Sequence, residues 1–329
     1  MGFTLCHGRS HCTRIGVAYS MLACMLSGII QGSVIGPLLF LIFLNDLVEL
    51  LASVGINVKV FADDMKIYIR VTSNIDERRL QTALDLITEW AQAWQLQVSV
   101  DKCYVLNLGK PVCDISLNIN NNALPVVPTC RDLGVNVTSD LAPSVHIDHI
   151  IVKTHQRAKN TLRCFVSRDR LSLTEAFVTY VRPLLEYNNV IWTPYLKCDI
   201  ERVEQVQRCF TKRLRGLKNY SYADRLKLLN LSSLELRRIH SDLAWCYKIV
   251  FGLTILKFDD FFQWNTAPQT RGHPYRLYKT NSTRRARTVF FSERVINVWN
   301  HLPVSTNFGS LPLFMRSIRS TDLSGHLHL

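Results

Sequence analysis

Two adjacent aspartates stand in the middle of an apolar stretch. The stretch reads NVKVFADDMKIYIRV, residues 57–71, and its centre holds Asp63 and Asp64. Two like charges this close repel each other, and each resists burial unless a cation or hydrogen-bond donors compensate it. On a rigid turn, adjacent carboxylates suit a divalent cation, because Mg²⁺ prefers hard oxygen ligands and completes its shell with waters and substrate phosphates. Taken alone, however, the pair is explained better by an exposed Asx turn.

Metal-assisted phosphoryl transfer needs more than this pair. Two ions then hold the attacking and the leaving oxygen, and two aspartates from one turn do not normally bridge both ions. A third carboxylate from a neighbouring strand is therefore expected wherever such chemistry takes place.

The residues around the aspartates predict a β-hairpin. Apolar Ile56, Val58 and Val60 alternate with the side chains between them, and the run MKIYIRV after Asp64 is rich in β formers. Two such strands joined at ADDM form a tight hairpin, with the acids at or beside its turn.

A helix is predicted before the hairpin, over residues 38–51. Pro37 suits its first turn, where a missing N–H costs little, and Gly55 ends it. Because this helix is apolar on most sides, we expect it to be buried.

The same region also has features of a membrane-spanning helix, which is the alternative to a buried helix. Residues 15–45 contain no charged side chain, and a span needs ~20 consecutive apolar residues. The segment SGIIQGSVIGP breaks the stretch, and the remaining run, residues 38–44, is too short to cross a bilayer. We therefore expect no membrane contact; partition into a detergent phase would indicate the opposite.

A second helix is predicted after the hairpin. Ser73 and Asp76 have the spacing of a capping box with Asp in place of Glu. The apolar residues then keep helical spacing as far as Trp90 and Trp94, which we interpret as core residues and not as a platform for stacking bases. Two short strands are predicted next, at residues 96–100 and 104–108.

The two halves of the chain differ in charge. Residues 1–150 carry 10 Lys+Arg and 13 Asp+Glu, a balance of −3, whereas residues 151–329 carry 29 and 13, a balance of +16. Residues 200–217 predict an amphipathic basic helix, and residues 222–251 predict two more helices. A basic half of this kind favours a polyanionic partner, although a merely soluble basic protein explains the charge equally well. The cations proposed to contact phosphates are Arg208, Lys212, Arg213 and Arg215.

Ten cysteines are scattered along the chain without a C-x-x-C pair, and no histidine lies at zinc-finger spacing from them. The favoured interpretation is buried free thiols in a reducing compartment, hence an intracellular protein of nucleus or cytoplasm.

Four blocks in order carry a family resemblance. They are SGIIQGSVIGPLLFLIFLNDL (27–47), VFADDMKIY (60–68), WAQAWQLQVSVDKCYVLNLG (90–109) and RDLGVNV (131–137). Their order and spacing resemble the reverse transcriptases of non-LTR retrotransposons, in the jockey-like branch. The family's Tyr/Phe-Ala-Asp-Asp block is kept at residues 61–64, while its Pro-Gln-Gly-Ser-x-Leu-Gly-Pro block has lost the first proline and carries Ile35 in place of leucine. Later segments such as IERVEQVQRCFTKRL and RVINVWNHLP extend the resemblance to about residue 320.

The resemblance implies an α+β fold: a partial polymerase palm, built as a β-hairpin with packed helices, followed by a mostly α-helical thumb and C-terminal region. The implied domains are residues 1–140 for the palm, 141–255 for the thumb-like region and 256–329 for a basic C-terminal segment. The implied function is RNA-directed DNA synthesis with Mg²⁺ as cofactor. Its partners are an RNA template, a DNA primer and deoxynucleoside triphosphates, without an obligate protein partner.

The resemblance also implies roles for individual residues. Asp63 would be the metal ligand, and Asp64 would support it or act as an alternate ligand. Gln31 and Gly32 would line the site where template base and nucleotide meet. The remaining two are Lys102, near the departing pyrophosphate as counter-charge or general acid, and Phe61, beneath the nucleotide sugar. Ordinary structural explanations stay open: a solvated lysine at 102, a helix cap at 31 and a core ring at 61.

The family's third aspartate comes from a block upstream of Gln31, and residues 1–30 contain no Asp or Glu. We therefore expect a fragment that lacks the fingers and the first catalytic strand and that is inactive alone, because two of three acids hold a poorly shaped metal site. The alternative is a remnant that binds nucleic acid through its basic half without catalysis.

Overall fold

The computed structural model describes residues 10–24, 32, 34–109, 116–265, 272–280, 282–283 and 285–328. The chain divides into two compact units, Met1–Val127 and Pro128–Leu329. Helices and small sheets are both present, which confirms the predicted α+β class. The finer division at residues 140 and 255 stays a prediction.

The first unit contains short strands and two long helices. Its elements are β1 (Ser10–His11), β2 (Arg14–Ile15), β3 (Ala18–Tyr19), β4 (Ala23–Cys24), α1 (Gly36–Ser53), β5 (Asn57–Phe61), β6 (Asp64–Tyr68), α2 (Asn74–Ala93), β7 (Asn118–Ile119) and β8 (Asn122–Ala123).

The second unit is mostly helical. Its elements are β9 (Thr129–Asp132), β10 (Val135–Thr138), α3 (Ser144–Cys164), α4 (Arg170–Ala176), α5 (Arg182–Glu186), α6 (Asn189–Trp192), α7 (Lys197–Lys212), α8 (Tyr222–Leu228), α9 (Leu234–Val250), α10 (Arg285–Thr288), α11 (Phe291–Asn300) and α12 (Leu311–Ser320).

Helix α1 forms where it was predicted, with a proline in its first turn, but it is not buried on all sides. Leu44, Leu47 and Leu51 face the core, whereas Leu38 and Ile42 are 59% and 63% exposed. An apolar sequence does not tell which face a neighbour covers, so the expectation of full burial was wrong. The helix continues to Ser53, and it is the one described helix that is long and apolar enough to cross a membrane, by length and composition alone. The argument that the apolar run is too short to span is therefore also wrong.

The hairpin β5–β6 packs one face on this helix. Its strands are antiparallel, and their inward side chains join a core cluster with α1 and α2. In that cluster the alternate positions Val58, Val60, Met65 and Ile67 are half-buried. Alternation with a period of two thus separates a core-facing side from a solvent-facing side, as the sequence predicts.

The carboxylate of Asp76, in the first turn of helix α2, caps the backbone just before the helix. Asp76 accepts hydrogen bonds from the N–H groups of Thr72, at 2.8 Å, and Ser73, at 3.1 Å. These bonds, that of Thr72 first, lower the pKa of the Asp76 carboxyl. Further along α2, Trp90 is buried and donates from Nε1 to Asp46 Oδ2 at 3.1 Å. Trp94 is 49% exposed, so its assignment to the core was wrong.

The strand predicted at residues 96–100 does not form. Gln95 has φ +56°, and the chain passes through a single 3-10 turn, Val100–Lys102. In the strand predicted at 104–108, only Val105 pairs, through one parallel bridge to Val126. Both runs have β-forming composition, but a strand also needs a neighbour, and the described residues supply one at a single position.

Three apolar clusters hold the second unit together. Helix α7 buries the predicted face of Ile200, Val203, Val206 and Phe210, each at most 3% exposed. The two helices predicted between residues 222 and 251 are α8 and α9. The largest cluster joins α9 to α11 and α12 through fully buried rings such as Trp299 and Phe314.

A buried carboxylate starts helix α9. Glu204, fully buried on α7, accepts the N–H of Leu234 at 2.9 Å and the hydroxyl of Tyr222. Glu204 also accepts the N–H of Glu235 at 3.3 Å. It thereby satisfies two backbone donors at the N-terminus of α9 that have no partner within the helix.

All eight described cysteines are free thiols, as predicted, but most are not buried. Cys246 alone among them is buried, and four are exposed: Cys12, Cys24, Cys164 and Cys198. The expectation of buried thiols was therefore wrong.

Candidate metal site at the hairpin tip

The two aspartates lie at the tip of the β5–β6 hairpin. Phe61 pairs with Asp64, which leaves Ala62 and Asp63 as a two-residue loop. Ala62 has a positive φ of +52°, whereas the φ of Asp63 is not positive. This pattern is that of a type II′ turn, whose twist matches the twist of the flanking strands. A left-handed φ at an alanine costs roughly 1–2 kcal/mol, so the flanking strands hold the loop in this shape.

The register assigns each side chain near the tip to a face. Val60 and Met65 form the last pair on the core side, whereas Phe61 and Asp64 form the last pair on the open side. Phe61 is 63% exposed, so the alternative interpretation of Phe61 as a core phenylalanine is wrong. Asp63, in the loop, is exposed as well.

In the described part of the chain no side-chain hydrogen bond or ion pair involves the carboxylate of Asp63 or of Asp64. Within this part of the structure no side-chain donor or cation offsets the repulsion between the two carboxylates. Four hard oxygen atoms, adjacent, exposed and held on a rigid turn, are a donor set that fits Mg²⁺. No group of three or more His, Cys, Asp or Glu side chains with metal-binding geometry occurs among the described residues.

The predicted catalytic and substrate-binding residues outside the hairpin are Gln31, Gly32 and Lys102. Gln31 lies outside the described residues. Gly32 has φ +83°, a conformation that favours glycine, and the space where a Cβ would stand is open. Lys102 is exposed at the end of the 3-10 turn, and its N–H bonds to the carbonyl of Ser99 at 3.0 Å. Among the described residues no ion pair connects Lys102 to either aspartate, so their proximity stays a prediction.

The four predicted phosphate-binding cations differ in environment. Lys212, Arg213 and Arg215 are exposed at and beyond the end of α7. Arg208 is half-buried, and its guanidinium carbon lies 4.9 Å from the centroid of the Tyr222 ring. It therefore has a structural contact that helical spacing did not reveal.

The prediction from sequence overlooked three residues on the open face of the hairpin. Lys59 and Lys66 pair directly across the strands, and Tyr68 follows on the same face, 48% exposed. The alternation that predicted the hairpin also identifies this face, so the signal was present.

Residues 24–137 match the family described as reverse transcriptase (RNA-dependent DNA polymerase). The RNA-directed DNA polymerase from mobile element jockey of Drosophila funebris is 25% identical over 204 residues, covering 59% of this chain and 22% of that protein. The probable RNA-directed DNA polymerase from transposon BS of Drosophila melanogaster is 26% identical over 264 residues, covering 72% of this chain and 29% of that protein.

The Retrovirus-related Pol polyprotein from type-1 retrotransposable element R1 2 of Nasonia vitripennis is 31% identical over 145 residues, covering 40% of this chain and 35% of that protein. The match to transposon BS covers more of the chain than residues 24–137 do, so similarity extends beyond the family segment. The chain spans between a fifth and a third of the length of the first of these relatives. No solved structure matches it.

These matches confirm the resemblance predicted from the sequence. Residues 24–137, which hold the hairpin, match the reverse transcriptase family, and the chain is similar to the RNA-directed DNA polymerases of non-LTR retrotransposons.

Proposed function

We propose that this chain belongs to the polymerase region of a non-LTR retroelement. The first unit, with its hairpin and packed helices, would be palm, and the helices that follow would be thumb. The observation that carries the proposal is the position of Asp63 and Asp64: exposed, adjacent and unpaired in the described part, on a hairpin anchored in a core, within the matched segment.

In this proposal the two aspartates hold Mg²⁺. When bound, Mg²⁺ would neutralise charge on a nucleotide's phosphates and polarise the oxygens that react. The chain's own contribution is placement: the inward side chains Val60 and Met65 fix the strands, and the two-residue loop keeps both carboxylates outside the core. The Phe61 ring, beside Asp64 on the open face, would pack against a nucleotide sugar.

We propose further that these 329 residues catalyse poorly or not at all when present alone. Residues 1–30 offer no carboxylate, and the described residues contain no third acid with the hairpin pair. Two-ion catalysis uses a carboxylate shared by both ions, and the hairpin supplies a metal-binding pair without it. Binding of a metal–nucleotide complex and synthesis are therefore separable here.

The experiment measures both quantities on the full chain. A fluorescent deoxynucleoside triphosphate is titrated with Mg²⁺ present or chelated, and primer extension on an RNA template is measured in the same buffer. We expect Mg²⁺-dependent nucleotide binding that is lost in Asp63→Asn/Asp64→Asn and kept in the control Asp259→Asn/Asp260→Asn, another adjacent and exposed pair. We expect no extension.

Either of two results would contradict the proposal. Nucleotide binding that is equal in both double variants would remove the metal role of the hairpin. Clear DNA synthesis that disappears in Asp63→Ala would show that the chain supplies a complete catalytic site, and the claim of inactivity would fail.

A second candidate function, nucleic-acid binding without catalysis, is supported by the basic surface of the second unit. Helix α3 exposes Lys153, Arg157 and Lys159. The pKa of His155 on the same helix is lowered by burial and, to a lesser degree, by the positive charge of Arg213, which places the end of α7 near this face. Such clustered cations bind phosphates without reading sequence. Affinity for duplex DNA that does not change with salt would contradict this function.

A further inference from the structure

Two histidines that lie far apart in the sequence come together in the second unit. His301 directly follows helix α11, and His326 lies in a 3-10 turn, Ser324–His326. Their ring centroids are 5.3 Å apart, and the ring planes meet at 65°. His301 is exposed and His326 is half-buried, so an ion can reach the pair from solvent.

Both rings are held in place by buried residues next to them in the sequence. His301 stands between Trp299 and Leu302, which belong to the largest apolar cluster and are 0% and 2% exposed. Leu323 belongs to the same cluster and precedes the turn that carries His326. The N–H of His326 donates to the Leu323 carbonyl at 3.0 Å and closes that turn. Core packing therefore sets the distance between the rings, which makes the pair more precise than two side chains on free loops.

The separation of the rings is that of two imidazoles bound to one metal ion. A Zn–N bond of about 2.0–2.1 Å places each ring centre ~3.2 Å from the ion, and a tetrahedral angle between two such ligands separates the centres by about 5.2 Å. The observed 5.3 Å agrees with this value. Rings in ordinary aromatic contact lie ~4.5–7 Å apart, so the nitrogen atoms and the charge around them have to decide between the two arrangements.

The hydrogen bonds leave ring nitrogens available to a metal. Because a carbonyl only accepts, Nδ1 of His301 donates to the carbonyl of Asn297, at 2.6 Å, and Nε2 keeps its lone pair. A bond of this kind from the second ring nitrogen to a backbone carbonyl orients histidines that bind metals and makes them stronger ligands. In the described part of the chain no hydrogen bond uses a ring nitrogen of His326.

The charge around the pair favours a neutral His326. Burial, and to a lesser degree the positive charge of His301, lowers the pKa of His326. None of the ion pairs in the described residues places a carboxylate against either ring. A neutral imidazole is the form that binds a metal, whereas an anion such as phosphate would need protonated rings. The surroundings therefore favour a metal ion as the occupant.

We infer that His301 and His326 bind a divalent transition-metal ion of the kind that prefers imidazole, such as Zn²⁺, Ni²⁺ or Cu²⁺. Mg²⁺ and Ca²⁺ prefer oxygen ligands and do not occupy this site. Among the described residues no third His, Cys, Asp or Glu completes it, so the ion keeps water at its other positions. The bound ion clamps the turn Ser324–His326 to the end of α11. The inference is independent of the proposed function, which concerns the other unit and a different ion.

The test measures each histidine of the full chain separately. Diethyl pyrocarbonate acylates a free nitrogen of a histidine ring, and mass spectrometry of the peptides reports how far each histidine has reacted. We expect Zn²⁺ to protect His301 and His326 together, with half-protection at the same concentration, and Mg²⁺ to protect neither. The exposed His11 and His149 are internal controls and should react equally with and without Zn²⁺.

Variants show whether the two rings act as a pair. His326→Ala should abolish the protection of His301, and His301→Ala that of His326, because two ligands held side by side bind far more tightly than either alone. The matched control, His11→Ala/His149→Ala, should leave both protections unchanged. If one variant fails to fold, the other and the wild-type protein still decide the question.

Amide hydrogen exchange tests the clamp. The N–H groups of His326 and Leu327 both donate to carbonyls near or within the turn, at 3.0 and 3.1 Å. These amides exchange when the metal-free turn opens, so Zn²⁺ at about ten times its Kd should slow them about 11-fold, the factor 1 + [Zn²⁺]/Kd. His326→Ala should show no slowing. Exchange that Zn²⁺ leaves unchanged in the wild-type protein would overturn the clamp.

Three results would overturn the inference of a metal site. Reaction of His301 and His326 that no soluble concentration of Zn²⁺ slows would show that the rings make an aromatic contact only. Protection of His301 that persists in His326→Ala would show that this ring binds the ion singly. Equal protection of His11 and His149 would show adventitious binding to any exposed histidine.

Discussion

Lowering the pH should destabilise the second unit through one buried histidine. His146 on α3 is 2% exposed, its Nδ1 accepts the N–H of Asn136 at 3.2 Å, and its ring lies 5.2 Å from that of Trp192. Burial, with smaller contributions from His149 and Arg131, lowers the pKa of His146 from 6.5 to about 4. Protonation at Nδ1 would also remove the acceptor of the Asn136 hydrogen bond.

The direction of this pH effect on the free energy of unfolding follows from proton binding. Between about pH 6.5 and pH 4 the unfolded state is protonated at this histidine while the folded state is not, so the free energy of unfolding falls as the pH falls. One pKa unit corresponds to about 1.4 kcal/mol, which gives a ceiling of about 3 kcal/mol for the full range. From about pH 7 to pH 5, above the titration of most carboxyl groups, the expected loss is about 2 kcal/mol.

The assay is urea unfolding at several pH values in wild type and in His146→Gln, whose amide oxygen can still accept the Asn136 N–H. Other groups titrate in both proteins, so the quantity of interest is the difference between the two free energies of unfolding. That difference should shrink by about 2 kcal/mol between about pH 7 and pH 5. The exposed His149 provides the control: His149→Gln should keep nearly the whole pH dependence of wild type.

A histidine ring that titrates near 6.5 by NMR, or a difference that does not depend on pH, would refute the reasoning. Either result would mean that water or a counter-charge reaches the ring in the folded state.

Two further predictions concern the helical unit. Glu204→Gln should cost about 1–3 kcal/mol of unfolding free energy, because the buried carboxylate accepts the donors at the start of α9, whereas Glu201→Gln, exposed on the same helix, should change it by less than about 0.5 kcal/mol. Chemical denaturation of both variants decides this, and equal losses would contradict it. Phe314→Ala should cost about 3–5 kcal/mol, because it removes a fully buried ring from the cluster that joins α9 to α12, and its exposed neighbour in Leu313→Ala should cost clearly less. Thermal unfolding that is unaffected in Phe314→Ala would show that this cluster does not hold the C-terminal helices.

Local patterns predicted the elements well. The period-two alternation around Val58 and Val60 is complete within one hairpin, and the capping residue Asp76 acts within one helical turn. The apolar stripe of residues 200–217 also predicted which side of α7 is buried. In each case the sequence signal and the structure it produces span fewer than twenty residues.

Features that depend on distant partners were not predictable. Leu38 and Ile42 are as apolar as Leu47, and only the packing of neighbours decides which of them is exposed. Residues 96–100 have the composition of a strand but find no partner in the described structure. Trp94 has the spacing of a core residue, yet it lies at the end of its helix, half covered.

In the candidate site, too, local features were predictable from the sequence and features that depend on distant partners were not. That Asp63 and Asp64 sit together at a hairpin tip follows from the sequence, and their exposure is explained by the alternation that places Asp64 on the open face. The role of Lys102 depends on a contact between separate loops, which spacing along the chain does not determine. Arg208 was predicted from its place on a basic helix, and its contact with Tyr222 comes from a later segment.

The central claim is that Asp63 and Asp64 bind a divalent cation. The most direct measurement is titration of the full chain with Mn²⁺, a spectroscopic substitute for Mg²⁺, followed by electron paramagnetic resonance of the free ion. Wild type and the control Asp259→Asn/Asp260→Asn should bind the ion, and Asp63→Asn/Asp64→Asn should lose this binding. Equal Mn²⁺ binding in all three proteins, or binding that is lost only in the control, would contradict the claim.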